Sequence, residues 1–129
     1  MSLSKIIFGN GFIAKNIYRI KNDIYKSNYV IYAAGISNSK IKLKKSFQKE
    51  ITILKKFLKK NYNKKILYIS TASITDSSRN KSQYVKNKIL IEGIIKKKIK
   101  RYIILRLPEI AGISKNKNTL INFFYNKVK

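Results

Sequence analysis

The chain has no cysteine, no histidine, a single proline and only five carboxylates (Asp23, Glu50, Asp76, Glu92 and Glu109) in 129 residues. Without cysteine there is no disulfide and no thiolate metal site. Without histidine, neither a histidine-based triad nor a catalytic zinc centre has its usual ligands or base. Whatever chemistry the chain performs must use hydroxyls, lysines and a borrowed cofactor. Long apolar runs are also missing, and none approaches the length of a membrane span. The stretch 6–14 after Lys5 has the look of a signal-peptide core, but Gly9, Asn10 and Gly11 interrupt it and no small-x-small cleavage site follows. These absences lead us to expect a cytoplasmic protein.

What is abundant is lysine. The formal net charge is +25, and only four of the basic residues are arginine (Arg19, Arg79, Arg101, Arg106). A polycation binds phosphate backbones by counterion release, so a nucleic-acid-associated protein is one reading. The lysines come with many isoleucines, asparagines, tyrosines and phenylalanines, all encoded by A/T-rich codons. Coding bias of that kind loads solvated faces with lysine without selection for binding. No finger, zipper or Gly-rich RNA-binding signature accompanies the charge. The hydrophobic content of 44% argues for a folded domain, and the length fits one domain spanning 1–129 that buries roughly two thirds of its unfolded surface.

Hydrophobic periodicity alternates strands with helices. Lys5–Phe8 is a short apolar strand, followed by Gly9-Asn10-Gly11-Phe12-Ile13-Ala14 and a helical pattern with Ile13, Ile17 and Ile20 on one side. Strand, glycine turn and helix is the setting in which G-x-G-x-x-A carries meaning. The first glycine allows the turn, the second lets a pyrophosphate approach the backbone, and the small third residue permits close packing. Tyr29–Gly35 is a second strand ending in the small residues Ala33, Ala34 and Gly35, followed by the polar loop Ser37-Asn38-Ser39. A helix over 43–60 carries the stripe Leu43, Phe47, Ile51, Leu54 and Leu58. Lys65–Ser70 is a third strand, Thr71–Ser82 a polar loop, Gln83–Lys98 a helix, and Arg101–Leu107 a fourth strand. An amphipathic helix is expected in 118–128 through Leu120, Ile121 and Phe124. The pattern predicts an α/β fold: a parallel sheet of about four strands with helices on both faces in a reduced, Rossmann-like three-layer arrangement.

Tyr84-Val85-Lys86-Asn87-Lys88 lies about a dozen residues after the third strand. A tyrosine and a lysine four apart on a helix project from the same face. An ammonium beside a phenol favours the phenolate, so Lys88 is expected to pull the Tyr84 pKa down towards working pH. A tyrosine tuned that way can exchange protons with a carbinol or carbonyl oxygen.

Five segments in order resemble the extended short-chain dehydrogenase/reductase superfamily, in particular its NAD-dependent epimerase/dehydratase branch. They are Gly9-x-Gly11-x-x-Ala14, Ala33-Ala34-Gly35, Ile69-Ser70-Thr71-Ala72-Ser73, Tyr84-x-x-x-Lys88 and Arg106-Leu107-Pro108-Glu109-Ile110-Ala111-Gly112. The resemblance covers nearly the whole chain. It implies NAD or NADP as cofactor and a nucleotide sugar as substrate. By it, Tyr84 is the acid/base, Lys88 binds the nicotinamide ribose, and Thr71 hydrogen-bonds the reacting oxygen. Gly9, Gly11, Phe12 and Ile13 contact the pyrophosphate, with Ala14 packing beneath them. Ala33, Ala34 and Gly35 line the cofactor, and Pro108 and Ile110 lie beside the nicotinamide.

The departures from that family also carry information. Dehydratases of the branch place an acidic pair after the Thr, where this chain has Ala72 and Ser73, so elimination is disfavoured and an epimerase or reductase is left. Glu109 stands where the family often has asparagine near the substrate. Only nine residues, 21–29, separate the first helix from the next strand, where the family spends two strands and a helix. The sheet is therefore expected to be reduced, with its first strand at or near an edge. The family's sugar-nucleotide lobe has no counterpart after Gly112. That implies a truncated product, a second copy or partner chain that completes the site, or lost catalysis. A catalytically inactive nucleotide-binding module or subunit is the principal rival to the enzyme.

Overall fold

The computed structural model describes residues 6–35, 43–77 and 82–108. Four parallel strands form one sheet in the order β1-β2-β3-β4: β1 (Ile7–Phe8), β2 (Tyr29–Tyr32), β3 (Lys65–Thr71) and β4 (Tyr102–Leu107). Between them run α1 (Phe12–Ile17), α2 (Lys21–Ser27), α3 (Lys44–Asn61) and α4 (Gln83–Lys98). The α/β fold with a four-stranded parallel sheet and helical cover is as expected, and β1 does lie at an edge. The region 118–128, Ile110 and the loop 37–39 lie outside the described residues.

Alternation along the strands divides the core in two. Val30, Tyr32, Ile66 and Tyr68 point to one face and meet Leu54, Phe57 and Leu58 of α3 and Ile91 and Ile95 of α4. Ile7 and Ile31 point to the other and meet Ala14 of α1 and Ile24 of α2, with Ile17, Leu67 and Ile69 around them. The α1 and α2 helices therefore cover one face of the sheet, and α3 and α4 cover the other.

That division has a topological consequence. The chain steps in the same direction from β1 to β2, β2 to β3 and β3 to β4, yet the first connection lies on the opposite face from the other two. The first crossover is thus opposite in hand to the second and third. Parallel crossovers are right-handed in about 98% of cases, so the three cannot all obey the rule. In a full doubly wound sheet the first helix leads to a strand on the far side of β1. Here no such strand exists among the described residues, and α1 occupies the face suited to it while the chain returns on the near side.

The chain between α1 and β2 is helical for most of its length. Residues 18–20 make a 3-10 turn, α2 follows with Asp23 in its first turn, and Asn28 closes it in the left-handed region at φ 61°. The stripe of α3 keeps Phe47, Leu54 and Leu58 buried as expected but is broader, with its start shifted. Leu43 precedes the helix and is exposed, Ile51 is half-buried, and Phe57 and Glu50 are buried as well. After β3, residues 72–75 form a 3-10 turn rather than loop. Among the described residues no helix is long and apolar enough to cross a membrane.

Candidate functional site

Because the strands are parallel, their carboxyl ends share one edge, which is where open α/β sheets bind ligands. Gly9 follows β1, Ala33, Ala34 and Gly35 follow β2, Thr71 ends β3, and Pro108 follows β4. Gly9 is required by its surroundings. Its φ is 135°, and a Cβ there would stand 2.7 Å from the Ala33 carbonyl oxygen and 2.9 Å from the Ala34 nitrogen. The Ala33 N–H donates to the Phe8 carbonyl at 2.8 Å, which holds the two strand ends together. A Cβ on Gly11 would meet nothing within 4 Å, so the turn faces open space. Phe12 is exposed, Ile13 half-buried, and Ala14 buried against Ile6, Ile7 and Ile24. The small third position of the motif thus brings α1 close to the sheet.

The α4 helix starts where Ser82 Oγ accepts the Val85 backbone N–H at 3.1 Å. That start sets Val85, Lys88, Glu92 and Ile95 on the face turned to the sheet, all of them buried. Tyr84 reaches Thr71, with which it shares a side-chain hydrogen bond. Thr71 Oγ1 is itself fixed by accepting the Ser73 N–H at 3.1 Å. Lys88 Nζ stands 5.4 Å from the centroid of the Tyr84 ring. The three residues of the expected catalytic set therefore come together.

Their electrostatics differ from the expectation. Lys88 Nζ donates to Glu50 Oε1 at 2.8 Å, and Asn87 Nδ2 donates to Glu50 Oε2 at 2.9 Å. Lys88 and Glu50 are only 4% and 5% exposed. Burial pushes the Tyr84 phenol above its ordinary value, the Thr71 hydrogen bond lowers it in part, and the Glu50 carboxylate raises it again. The expected downward pull by Lys88 is thus corrected. The ammonium is paired with a carboxylate, and the charge that acts on Tyr84 is that of Glu50, which raises its pKa. Gly35 closes the pair from above: at φ 155°, a Cβ there would lie 2.7 Å from Glu50 Oε1 and 3.0 Å from Lys88 Nζ.

A second buried carboxylate stands one turn further along α4. Glu92 takes Ser70 Oγ at 2.7 Å and a two-pronged contact from Arg106, with Nε at 3.0 Å and Nη2 at 2.8 Å. It ties β3, β4 and α4 together behind Thr71. Among the described residues, no group of three or more acidic, histidine or cysteine side chains is placed to hold a metal ion.

No family model, curated protein or solved structure matches the chain. The functional reading therefore rests on the site itself. Gly9, Gly11, Ala33, Ala34, Gly35 and Thr71 lie at or beside the carboxyl edge, Tyr84 and Lys88 lie beside Thr71, and Pro108 follows Leu107, the register partner of Thr71. Ile110 lies outside the described residues. Sequence reasoning missed Glu50 and Asn87. Glu50 stands three residues after Phe47 and four before Leu54, on the apolar stripe of α3, and a carboxylate at such a position in so acid-poor a chain was the available signal.

Proposed function

We propose that the chain is a reduced epimerase/reductase-like domain of the extended short-chain dehydrogenase/reductase superfamily, taking NAD or NADP and acting on a nucleotide sugar. One observation carries this reading. A glycine turn, a small-residue strand end and a Thr-Tyr-Lys cluster fall on the carboxyl edge of three adjacent parallel strands, in that order. The odd hand of the first crossover supports it, since α1 lies where a doubly wound sheet would need it.

The residues fit such a cofactor in part. The glycine turn faces open space, which suits a pyrophosphate. Lys88 does not fit a ribose contact as it stands, because its ammonium is buried on Glu50 beneath Gly35. A bound nicotinamide would supply the hydride chemistry. The chain's own contribution is the proton on Tyr84 Oη. Burial keeps that proton in place at neutral pH beside Thr71, so Tyr84 serves as a general acid.

Calorimetric titration with NAD, NADH, NADP and NADPH tests the reading. Binding of at least one is expected, and no heat from any of them at millimolar concentration rules the reading out. A second reading, a nucleotide-binding module without turnover, is favoured by the Glu50–Lys88 pair. The two part at Tyr84→Phe: an enzyme loses about 10²- to 10⁴-fold in turnover, whereas a binding module keeps its affinity and shows no turnover to lose.

A further inference from the structure

We propose that the edge of the sheet opposite Tyr84 is a binding groove for single-stranded nucleic acid. At the amino ends of the strands, Tyr29 and Lys65 are register partners. The Arg101 carbonyl accepts the Ile66 N–H at 3.0 Å, which sets Arg101 beside Lys65. Tyr25, Asn28, Tyr29, Lys64, Lys65 and Arg101 line a depression of about 520 Å³, and among the described residues no carboxylate lines it. Tyr25 is 52% exposed, and Lys65 Nζ lies 5.6 Å from the centroid of the Tyr29 ring.

Lysine at this end of the molecule has an ordinary explanation in part. Lys59 and Lys60 close α3 and Lys96, Lys97 and Lys98 close α4, where cations complement the helix dipole. That account does not extend to Lys65 and Arg101, which begin strands rather than end helices. Nor does it place two tyrosines and an asparagine between them. The carboxylates of α3 and α4, Glu50 and Glu92, are buried towards the opposite edge and already hold Lys88 and Arg106. Neither of these two carboxylates therefore faces Lys65 or Arg101. Cations for phosphates and an exposed aromatic face for stacking, here that of Tyr25, are the chemistry of single-strand recognition, since only unpaired bases offer both faces. A volume of this size falls within the range of small-ligand sites, enough for one or two nucleotides of a longer strand.

The test is fluorescence anisotropy of a labelled 12-nucleotide oligothymidylate and its oligouridylate counterpart with the full chain, across a salt series. Lys65→Gln/Arg101→Gln should lower affinity roughly tenfold and reduce the salt slope by about 1.4, for two lost phosphate contacts. Tyr25→Ala, an exposed position that spares the fold, should weaken oligonucleotide binding roughly fivefold or more while leaving heparin binding unchanged. Lys49→Gln/Lys56→Gln removes the same charge from the exposed side of α3 and should change little. The proposal is overturned if that control pair weakens binding as much as the groove pair, since the charge then acts nonspecifically. It is equally overturned if Tyr25→Ala has no effect on the oligonucleotides or lowers heparin binding in parallel.

Discussion

Replacing Glu50 probes the group that most changes how the Tyr84 site reads. Its carboxylate serves two buried donors at once, Lys88 Nζ at 2.8 Å and Asn87 Nδ2 at 2.9 Å. Glu50→Leu keeps most of the side-chain volume, so a cavity is not the main consequence. What remains is an ammonium with almost no solvent contact and no counter-charge. Breaking a buried pair from one side costs about 3–5 kcal/mol, and stranding the Asn87 amide overlaps with that loss. Against a total stability of about 5–15 kcal/mol, this is a large fraction. With a urea slope near 2 kcal/mol/M, the unfolding midpoint should fall by about 2 M.

The sign of the effect is separated from its size by a double-mutant cycle. Lys88→Met alone should cost a similar amount, because it strands Glu50. Glu50→Leu with Lys88→Met removes both charges and their desolvation together, so it should recover to within about 1–2 kcal/mol of the parent, the residue being Asn87. Urea denaturation followed by circular dichroism at 222 nm measures all four corners. A loss below about 1 kcal/mol in Glu50→Leu, or single losses that simply add in the double variant, would refute the pairing as drawn.

Four further outcomes follow from the same packing. Tyr32, Tyr68 and Tyr84 are all held above their ordinary value of 10.0, chiefly by burial. The folded chain thus keeps protons that the unfolded chain releases, so stability is fully present below about pH 10 and falls as pH rises past it. Tyr32→Phe should flatten that alkaline limb in urea midpoints measured against pH. At the acid end, burial pushes Glu92 up, but Arg106 and Ser70 outweigh it and hold the carboxyl below its ordinary 4.5. Its contribution is present above that pH and lost below it, and Glu92→Gln should shrink the acid limb. Tyr68 is fully buried, and its hydroxyl has no hydrogen-bond partner among the described residues. Tyr68→Phe should therefore raise stability by about 1 kcal/mol, seen as a higher urea midpoint, and a lower midpoint would mean that the hydroxyl is satisfied. Gly35→Ala should push Glu50 and Lys88 apart and lower the thermal midpoint, whereas Gly11→Ala, with open space around it, should leave the midpoint nearly unchanged.

The sheet was legible in the sequence because its strands are short apolar runs bounded by glycine, asparagine and proline, and because α3 and α4 repeat with helical period. The edge position of β1 was legible for a different reason: nine residues cannot hold two strands and a helix. The α2 helix was not read, since Ile24 is its single buried residue and leaves no stripe. Within the site, Thr71, Tyr84 and Lys88 were found by spacing, and spacing is what a helix and a strand end preserve. Their electrostatics were not found, because these depend on Glu50, which is 38 residues from Lys88 in the chain. A pairwise rule for Tyr-x-x-x-Lys has no access to a third charge brought in by another helix. Lys88 itself carried a readable sign. It lies three residues after Val85 and seven before Ile95, on the buried face of α4, where an unpaired lysine is not tolerated.

The hand of the first crossover connects the fold to the uneven construction of the site. The Tyr84 half is built from the middle of the molecule: Thr71 on a strand paired on both sides, Tyr84 and Lys88 on a sixteen-residue helix, and two buried carboxylates locking α3, α4 and β4 around them. The glycine half hangs on β1, two residues long and, among the described residues, paired on one side only. The α1 and α2 helices cover it on a face where no later helix among the described residues joins them. Its anchorage is therefore local: Ile31 N–H to the Ile6 carbonyl at 2.7 Å, Ala33 N–H to the Phe8 carbonyl at 2.8 Å, and the small cluster of Ile7, Ala14, Ile24 and Ile31. A strand beyond β1 would have buried its free edge and made the first crossover conform in hand. With none among the described residues, local opening costs least at the turn that faces the proposed pyrophosphate site and most at the proposed acid/base group. Affinity for the proposed cofactor should accordingly be limited by ordering β1 and α1, while Thr71 and Tyr84 stand together before anything binds.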